Sequence, residues 1–307
     1  MANDRVPSIT PLQEAERIDR EQPALLADLG ARLFPRSQIV LDEATIASAR
    51  AILFTLVGRI EAELTGKGRN IAWPVIERSG LPQDSALLAF LLAHASWLRL
   101  VQRVGGGAAQ RSNIWLAGLA AEDDGMLGRS ALDLLSARSR PATERLSGYR
   151  DLPAPLFRQL AKQVDAALTL ESGSAKPSNA ADLIAGYNEA DGLPYLAVRL
   201  AAQLASAENT CELRRPGEAG VDLFAGWLAT ELDAGWYDVV RILGEGGVRL
   251  MLLLRAAGFG LYEAGPLIDQ LGDPDSARAL RSYAEIDRQA ARRVLFARNS
   301  APERAHA

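Results

Sequence analysis

The sequence predicts an all-α protein of stacked helix pairs, arranged as an irregular HEAT-like solenoid or a helical bundle. Three observations carry that expectation. Of the 307 residues 48 % are hydrophobic but only 6 % aromatic, and Ala and Leu abound. Ala and unbranched side chains lose the least entropy on entering a helix. Runs of Val, Ile and Thr with period two are nearly absent, which argues against a sizeable sheet. Finally, Leu250-Met251-Leu252-Leu253-Leu254, then Arg255 and a stop at Gly258-Phe259, reads as a short buried helix that other helices must wrap.

In chain order, the first expected helix is Leu12 to Phe34, broken near Pro23. Asp42 to Leu64 has Asp42 as its N-cap, and Ile46, Ala49, Leu53, Leu56, Val57, Ile60 and Leu64 make one apolar stripe at three/four spacing. Gly66-Lys67-Gly68 ends it. Helices follow at roughly Ile71–Arg78, Asp84–Arg103, Ala108–Ala121, Met126–Ala137 and Ala154–Leu170. Glu171 to Asn179 is small, polar and broken by proline, and reads as a linker. Beyond it lie Ala180–Glu189, Pro194–Ala207, Ala219–Leu232, Trp236–Leu243, Val248–Ala257 and Tyr262–Leu271. Asp273-Pro274 then opens a long last helix to about Phe296, with Asp as N-cap and Pro pre-set for the first turn. The implied organisation is an N-terminal helical domain over 1–170, the linker 171–179, a C-terminal helical domain over 180–298 and a disordered tail over 299–307.

A local pattern recurs in Ser79-Gly80-Leu81-Pro82 and Asp191-Gly192-Leu193-Pro194. The expected physics is a left-handed glycine that stops one helix. The next leucine folds back near Ile76 or Tyr187, and proline starts the next helix. Gly258-Phe259 repeats the stop, with Leu254 as the contact for Phe259. Tight helix pairs of this kind suggest a solenoid, although their spacing is not constant.

Composition bounds the chemistry. A net charge of −4 argues against a dedicated nucleic-acid binder, which needs a basic surface to release counterions. Cys211 is the one cysteine, so no disulfide within the chain and no cysteine-based zinc site can form, and a reducing compartment is expected. No apolar segment follows Met1-Ala2-Asn3-Asp4-Arg5, so no secretory signal is expected. Ala86 to Leu98 reads as too short to cross a bilayer. The expected location is cytoplasmic, away from any membrane.

The sequence assembles no catalytic, cofactor or metal motif. His94 and His306 are the two histidines, and His94, in Leu-Leu-Ala-His-Ala-Ser-Trp, reads as a helix histidine with a backbone or solvent partner. The Arg214-Arg215 pair close to Cys211 could lower the thiol's pKa, but an incidental cysteine is the expectation. The glycines at 66–68, 105–107, 244–247 and 258–265 follow no strand and read as turns rather than phosphate loops. Glu122-Asp123-Asp124 reads as helix-end charge. Trp97 and Trp227 read as core, and Trp236 as a staple or an exposed anchor.

Leu223 to Leu271 contains Ala229-Thr230-Glu231-Leu232, then Val239-Val240-Arg241-Ile242-Leu243, a glycine turn, and Leu252-Leu253-Leu254-Arg255-Ala256-Ala257-Gly258. This block, about a sixth of the chain, resembles the C-terminal part of an alphaproteobacterial family, the domain of unknown function 2336. It departs from the family at Trp236-Tyr237 and in its Gly-Glu-Gly-Gly turn. The resemblance implies an all-helical, HEAT-like fold and no activity or site residue.

The last helix is rich in arginine, with Arg278, Arg281, Arg288, Arg292, Arg293 and Arg298 against Asp275, Glu285 and Asp287. A second, weaker cluster is Arg138, Arg140, Arg145 and Arg150. The leading functional expectation is a non-enzymatic adaptor or regulatory protein that binds a protein partner through Arg255, Arg278, Arg281, Arg288 and Arg292. Arg255 is expected to reach the surface or pair with Glu231 or Asp238. The alternatives are a nucleic-acid-binding regulator using the arginine-rich face, and a small-molecule enzyme with its site near His94. Self-association is compatible with each.

Overall fold

The computed structural model describes residues 43–122, 125–172, 179–206, 211–271 and 280–296, together with Gln13 and Arg17. The expected helix Leu12–Phe34, the Asp42 cap, the start of the last helix at Asp273, most of the linker and the tail lie outside the described residues. Among the described residues every regular element is helical.

Helix α1 (Glu43–Thr65) buries the predicted stripe of Ala49, Leu53, Leu56, Val57 and Ile60. Its Glu61 is fully buried because it serves the next element. Its carboxylate accepts the backbone N–H of Arg69 at 2.7 Å and of Ala72 at 3.0 Å, which fixes the entry to α2 (Trp73–Arg78). Helix α3 (Ser85–Val104) starts where Asp84 accepts the N–H groups of Ala86 and Leu87, both at 2.9 Å, and stops at Gly105, whose φ is +88°. Its 20 residues, about 30 Å at the usual rise, make it long and apolar enough to cross a membrane, contrary to the expectation from Ala86–Leu98. Here it is an interior helix with 56 % of its apolar window buried in protein.

Helices α4 (Gly106–Glu122), α5 (Met126–Arg138), α6 (Ala142–Ser147) and α7 (Ala154–Ser172) complete the first half. After the linker come α8 (Ala180–Ala185), α9 (Leu193–Ser206), α10 (Pro216–Ala219), α11 (Val221–Leu232), α12 (Trp236–Glu245), α13 (Gly247–Ala256), α14 (Leu261–Leu271) and α15 (Arg288–Phe296). The largest contacts are α9 on α11, α12 on α3 and α4 on α5. The α3–α12 contact joins helices far apart in sequence, whereas a solenoid repeat touches only its neighbours. The chain is therefore an irregular bundle.

Two hydrophobic cores fill it. The smaller joins α1, α2, the first part of α3 and α7 through Leu53, Leu56, Leu88, Leu91, Phe157 and Val164. The larger joins the end of α3 to α4, α5 and α9 through α15. The cores do not part at residues 171–179. Trp97, Leu100, Leu116 and Leu134, before the linker, belong to the core of the second half, while Leu183, Ile184 and Tyr187, after it, pack on the first.

Leu250 to Leu254 are each 0 % exposed, as the apolar run predicts. Their helix ends in a Schellman stop. Gly258 has φ +84°, the Phe259 N–H donates to Leu254 O at 3.0 Å, and the Gly258 N–H donates to Arg255 O at 3.0 Å. The other two proposed stops differ. Gly80 and Gly192 have φ of −74° and −71°, open to any residue. Glycine is needed at 192 for space, because a Cβ there would lie 2.7 Å from Arg150 O. Leu81 joins Ile76 in the smaller core as expected, but Leu193 enters the larger core, away from Tyr187.

Four helices depart from the periodicity. α6 lacks a stripe long enough to read, although Pro141 before it and a left-handed Gly148 after it mark its ends. Ala180–Glu189 breaks after Ala185, and Asn188 restarts a 3-10 turn over Glu189–Asp191 by accepting the Ala190 N–H at 3.1 Å. Ala219–Leu232 breaks at Gly220, with φ +87°. The long last helix is also interrupted. Leu280–Glu285 is a 3-10 segment, and α15 starts afresh where Asp287 accepts the Ala290 N–H at 2.7 Å.

Gly226 of α11 lets that helix lie directly on α9, for a Cβ there would sit 2.7 Å from Ala197 O and 2.8 Å from its carbonyl carbon. Gly226→Ala must push the two helices apart, and we expect it to lower stability by about 1–3 kcal/mol, read as a lower urea midpoint. An unchanged midpoint would show that α9 and α11 are not held at this distance.

Candidate functional site

His94 lies in the middle of α3 and is 1 % exposed. Its Nε2 is 2.8 Å from Arg145 O; a carbonyl only accepts, so the proton of the neutral ring is on Nε2. The ring stacks on Phe90, with centroids 5.7 Å apart, and lies 5.3 Å from Trp97. Burial pushes its pKa below the ordinary value, and Asp151 opposes that shift. Asp151 is buried too, and burial raises its pKa while His94 opposes. One carboxylate oxygen of Asp151 accepts the Leu193 N–H at 2.8 Å, and its own carbonyl accepts the Tyr237 hydroxyl. Tyr187 donates to Leu152 O at 2.6 Å. Burial pushes both phenols upward. The histidine thus ties α3 to the last turn of α6, and its one N–H is already used.

Arg138, the last residue of α5, spends all five guanidinium protons. Its Nε donates to Asp222 Oδ2 at 2.8 Å and Nη2 to Asp222 Oδ1 at 2.6 Å. Nη2 also reaches Ala219 O at 2.8 Å, and Nη1 reaches Ser112 Oγ at 2.6 Å and Asn113 Oδ1 at 3.2 Å. The pair is 11 % and 7 % exposed. Gly220 makes room for it, since a Cβ there would be 2.5 Å from Nη2. Beside this pair is an open cleft of about 90 Å³, walled by Trp97, Val101, Val104, Leu193 and Val221, with Asn113 and Arg145 among its polar lining. Trp97 Nε1 and Arg145 Nε are buried without a hydrogen-bond partner among the described residues.

The arginines expected to form a docking face are largely engaged within the fold. Arg255 does not meet Glu231 or Asp238. Its Nε donates to Ile286 O at 2.7 Å, and its guanidinium lies 5.9 Å from the centre of the Tyr283 ring. Arg288 donates to Ala256 O at 3.0 Å and pairs with Glu231, also at 3.0 Å. Arg292 donates to Leu232 O at 3.0 Å. These carbonyls end α13 and α11, where helices leave acceptors unsatisfied and carry negative dipole charge. Arg278 lies outside the described residues, and Arg281 falls in the 3-10 segment.

A basic surface does exist, elsewhere. Between α10 and α14 is a second cleft of about 540 Å³, lined by Arg111, Arg214, Arg215, Pro216, Tyr262 and Pro266. Arg214 is held over the Phe259 ring at 4.3 Å and bonds both carboxylate oxygens of Glu263 at 3.1 Å. Arg111 meets Glu218 at 3.3 Å. Arg215 forms no ion pair among the described residues, so three cations face two carboxylates. Tyr262 stands 96 % exposed at the edge. Cys211 also lines this cleft and is exposed.

Sequence reasoning missed both clefts. Trp97 read as core, which it is by area, and nothing local marked its N–H as unpartnered. Arg145 stood within the second arginine cluster, where its neighbours Arg138 and Arg150 pair with Asp222 and Glu144. In the sequence Arg215 stands out only by its nearness to Cys211. Among the described residues no three His, Cys, Asp or Glu side chains gather to hold a metal ion. No protein-family model matches the chain, and no curated protein or solved structure matches it.

Two outcomes follow from the buried charges. Arg138→Met strands the Asp222 carboxylate and should cost about 3–5 kcal/mol, while pairing it with Asp222→Leu should recover most of the loss; chemical denaturation of the three variants decides it. The unfolded chain protonates His94 below about pH 6.5, whereas the fold keeps it neutral. The unfolded state therefore binds more protons there, and this group's contribution falls as pH drops through that value. Asp151 has the opposite sign, because its raised pKa favours the fold until pH climbs through it. His94→Gln removes the first of these, so its urea midpoint should fall less than that of the parent between pH 7.5 and 5.5.

Proposed function

We propose that this chain is a non-enzymatic adaptor or regulatory protein, and that it binds an acidic segment of a protein partner in the cleft between α10 and α14. The observation that carries the reading is Tyr262, 96 % exposed at the rim of a concave surface lined by arginines. A tyrosine left wholly in water makes no packing contribution to its own fold. Tyr and Arg are the residue types that concentrate binding energy at protein interfaces. The excess positive charge favours a carboxylate-bearing partner, and Pro216 and Pro266 stiffen the walls. The surface proposed from the last helix is replaced by this one, because Arg255, Arg288 and Arg292 are bonded to carbonyls.

The test places a photo-crosslinking phenylalanine derivative at position 262 in the native host, with the same derivative at Leu170, 74 % exposed, as control. The expected result is one protein captured at 262 and not at 170, through a peptide rich in Asp and Glu. Arg215→Glu should lower that capture at least about tenfold while leaving the melting temperature unchanged. Capture of a second copy of this chain would replace the reading with self-association. A labelled single-stranded oligonucleotide bound in low salt and released steeply by salt would replace it with nucleic-acid binding.

A further inference from the structure

We infer that the cleft beside Trp97 is a binding site for a small apolar monocarboxylate. The site is separate from the α10–α14 surface and does not depend on it. The two polar groups that the fold leaves without partners there are both donors. Trp97 is 5 % exposed and its indole N–H has no acceptor among the described residues; Arg145 Nε is buried and has none among them either. A buried donor without a partner costs about 1–3 kcal/mol, and both residues line the same cleft. Such groups call for an acceptor from outside the chain.

Charge narrows the acceptor's chemistry. Arg138 and Asp222, also at the cleft, neutralise each other in a bidentate pair, and every proton of Arg138 is taken. Arg145 forms no ion pair among the described residues, which leaves one net positive charge. One negative charge on a planar, two-oxygen acceptor matches an indole N–H and a guanidinium edge. The rest of the wall is mainly aliphatic, from Val101, Val104, Leu193 and Val221, with the Asn113 amide held beside Arg138, so most of the ligand is hydrocarbon. A volume of about 90 Å³ in a cleft open to solvent suits a short chain, with the mouth open to the remainder. His94 is next to the site but is not available to the ligand, since its N–H is given to Arg145 O. That bond holds the Arg145 backbone against α3 and so positions the guanidinium.

Hexanoate is a suitable probe, titrated calorimetrically into the full chain. We expect a Kd of about 1 mM or tighter, the range an eight-atom ligand reaches at ordinary efficiency. Hexanamide, which keeps the shape and loses the charge, should bind at least about tenfold more weakly. Hexylammonium should give no heat. Trp97→Phe keeps the ring and deletes the N–H, and should weaken hexanoate by about threefold to tenfold. Because it also removes an unpaired buried donor, its unliganded melting temperature should match or exceed the parent's, which separates lost binding from lost folding. Arg145→Gln is the second variant and should abolish the preference for hexanoate over hexanamide. Equal affinity for hexanoate and hexanamide in the parent, no heat with either, or hexanoate binding unchanged in Trp97→Phe and Arg145→Gln would overturn the assignment.

Discussion

The structure depends on the burial of one helix from opposite sides. α3 offers Leu88 and Leu91 to the smaller core and Trp97 and Leu100 to the larger. A surface helix needs one apolar stripe facing inward; α3 must be apolar over most of its circumference because protein lies on both flanks. That is why its composition passes for a membrane helix while its surroundings are α1 and α12. The buried polar groups beside the Trp97 cleft sit at its edges. His94 and Trp97 project from it, and Asp151, Arg145 and Tyr237 are brought to it by other elements.

Several arginines of this chain serve to end helices. Lys67, Lys162 and Lys176 are the three lysines among 34 basic residues. The arginines repeatedly reach main-chain carbonyls: Arg103 to Leu271, Arg138 to Ala219, Arg140 to Asp191, Arg288 to Ala256 and Arg292 to Leu232. Short helices joined by tight turns leave many carbonyls without partners. A planar group with five fixed donors satisfies several at once, which a flexible ammonium does less well. The arginine-rich pattern that suggests a docking face therefore has a structural cause.

What the sequence shows and what it hides divide along physical lines. Periodicity and composition are local, so the stripe of α1, the Asp84 cap, the apolar spine of α13 and its Gly258 stop are all legible. The breaks at Gly220 and Ile286 are not, because their causes are distant: Arg138 comes from α5 to fill the space at Gly220, and Arg255 comes from α13 to take Ile286 O. The division of the core is hidden for the same reason, since a polar, proline-broken linker marks where the chain is irregular and not where packing ends. Of the sites, the sequence shows His94 with a backbone partner. The unpaired Trp97 N–H is invisible to it, because a missing partner is a property of the whole fold.

The Arg138–Asp222 pair has a consequence for the order in which the chain takes shape. Its two members are 84 residues apart, and the carbonyl that completes the arginine's bonding belongs to the same distant segment. As a nascent chain leaves the ribosome, residues 43–172 supply most of the smaller core and can collapse early. The end of α5 then carries a charge whose counterpart has not been made, and Trp97 faces water until α11 and α12 arrive. The apolar flank of α3 that meets the larger core therefore has no cover from the second half until that half is translated.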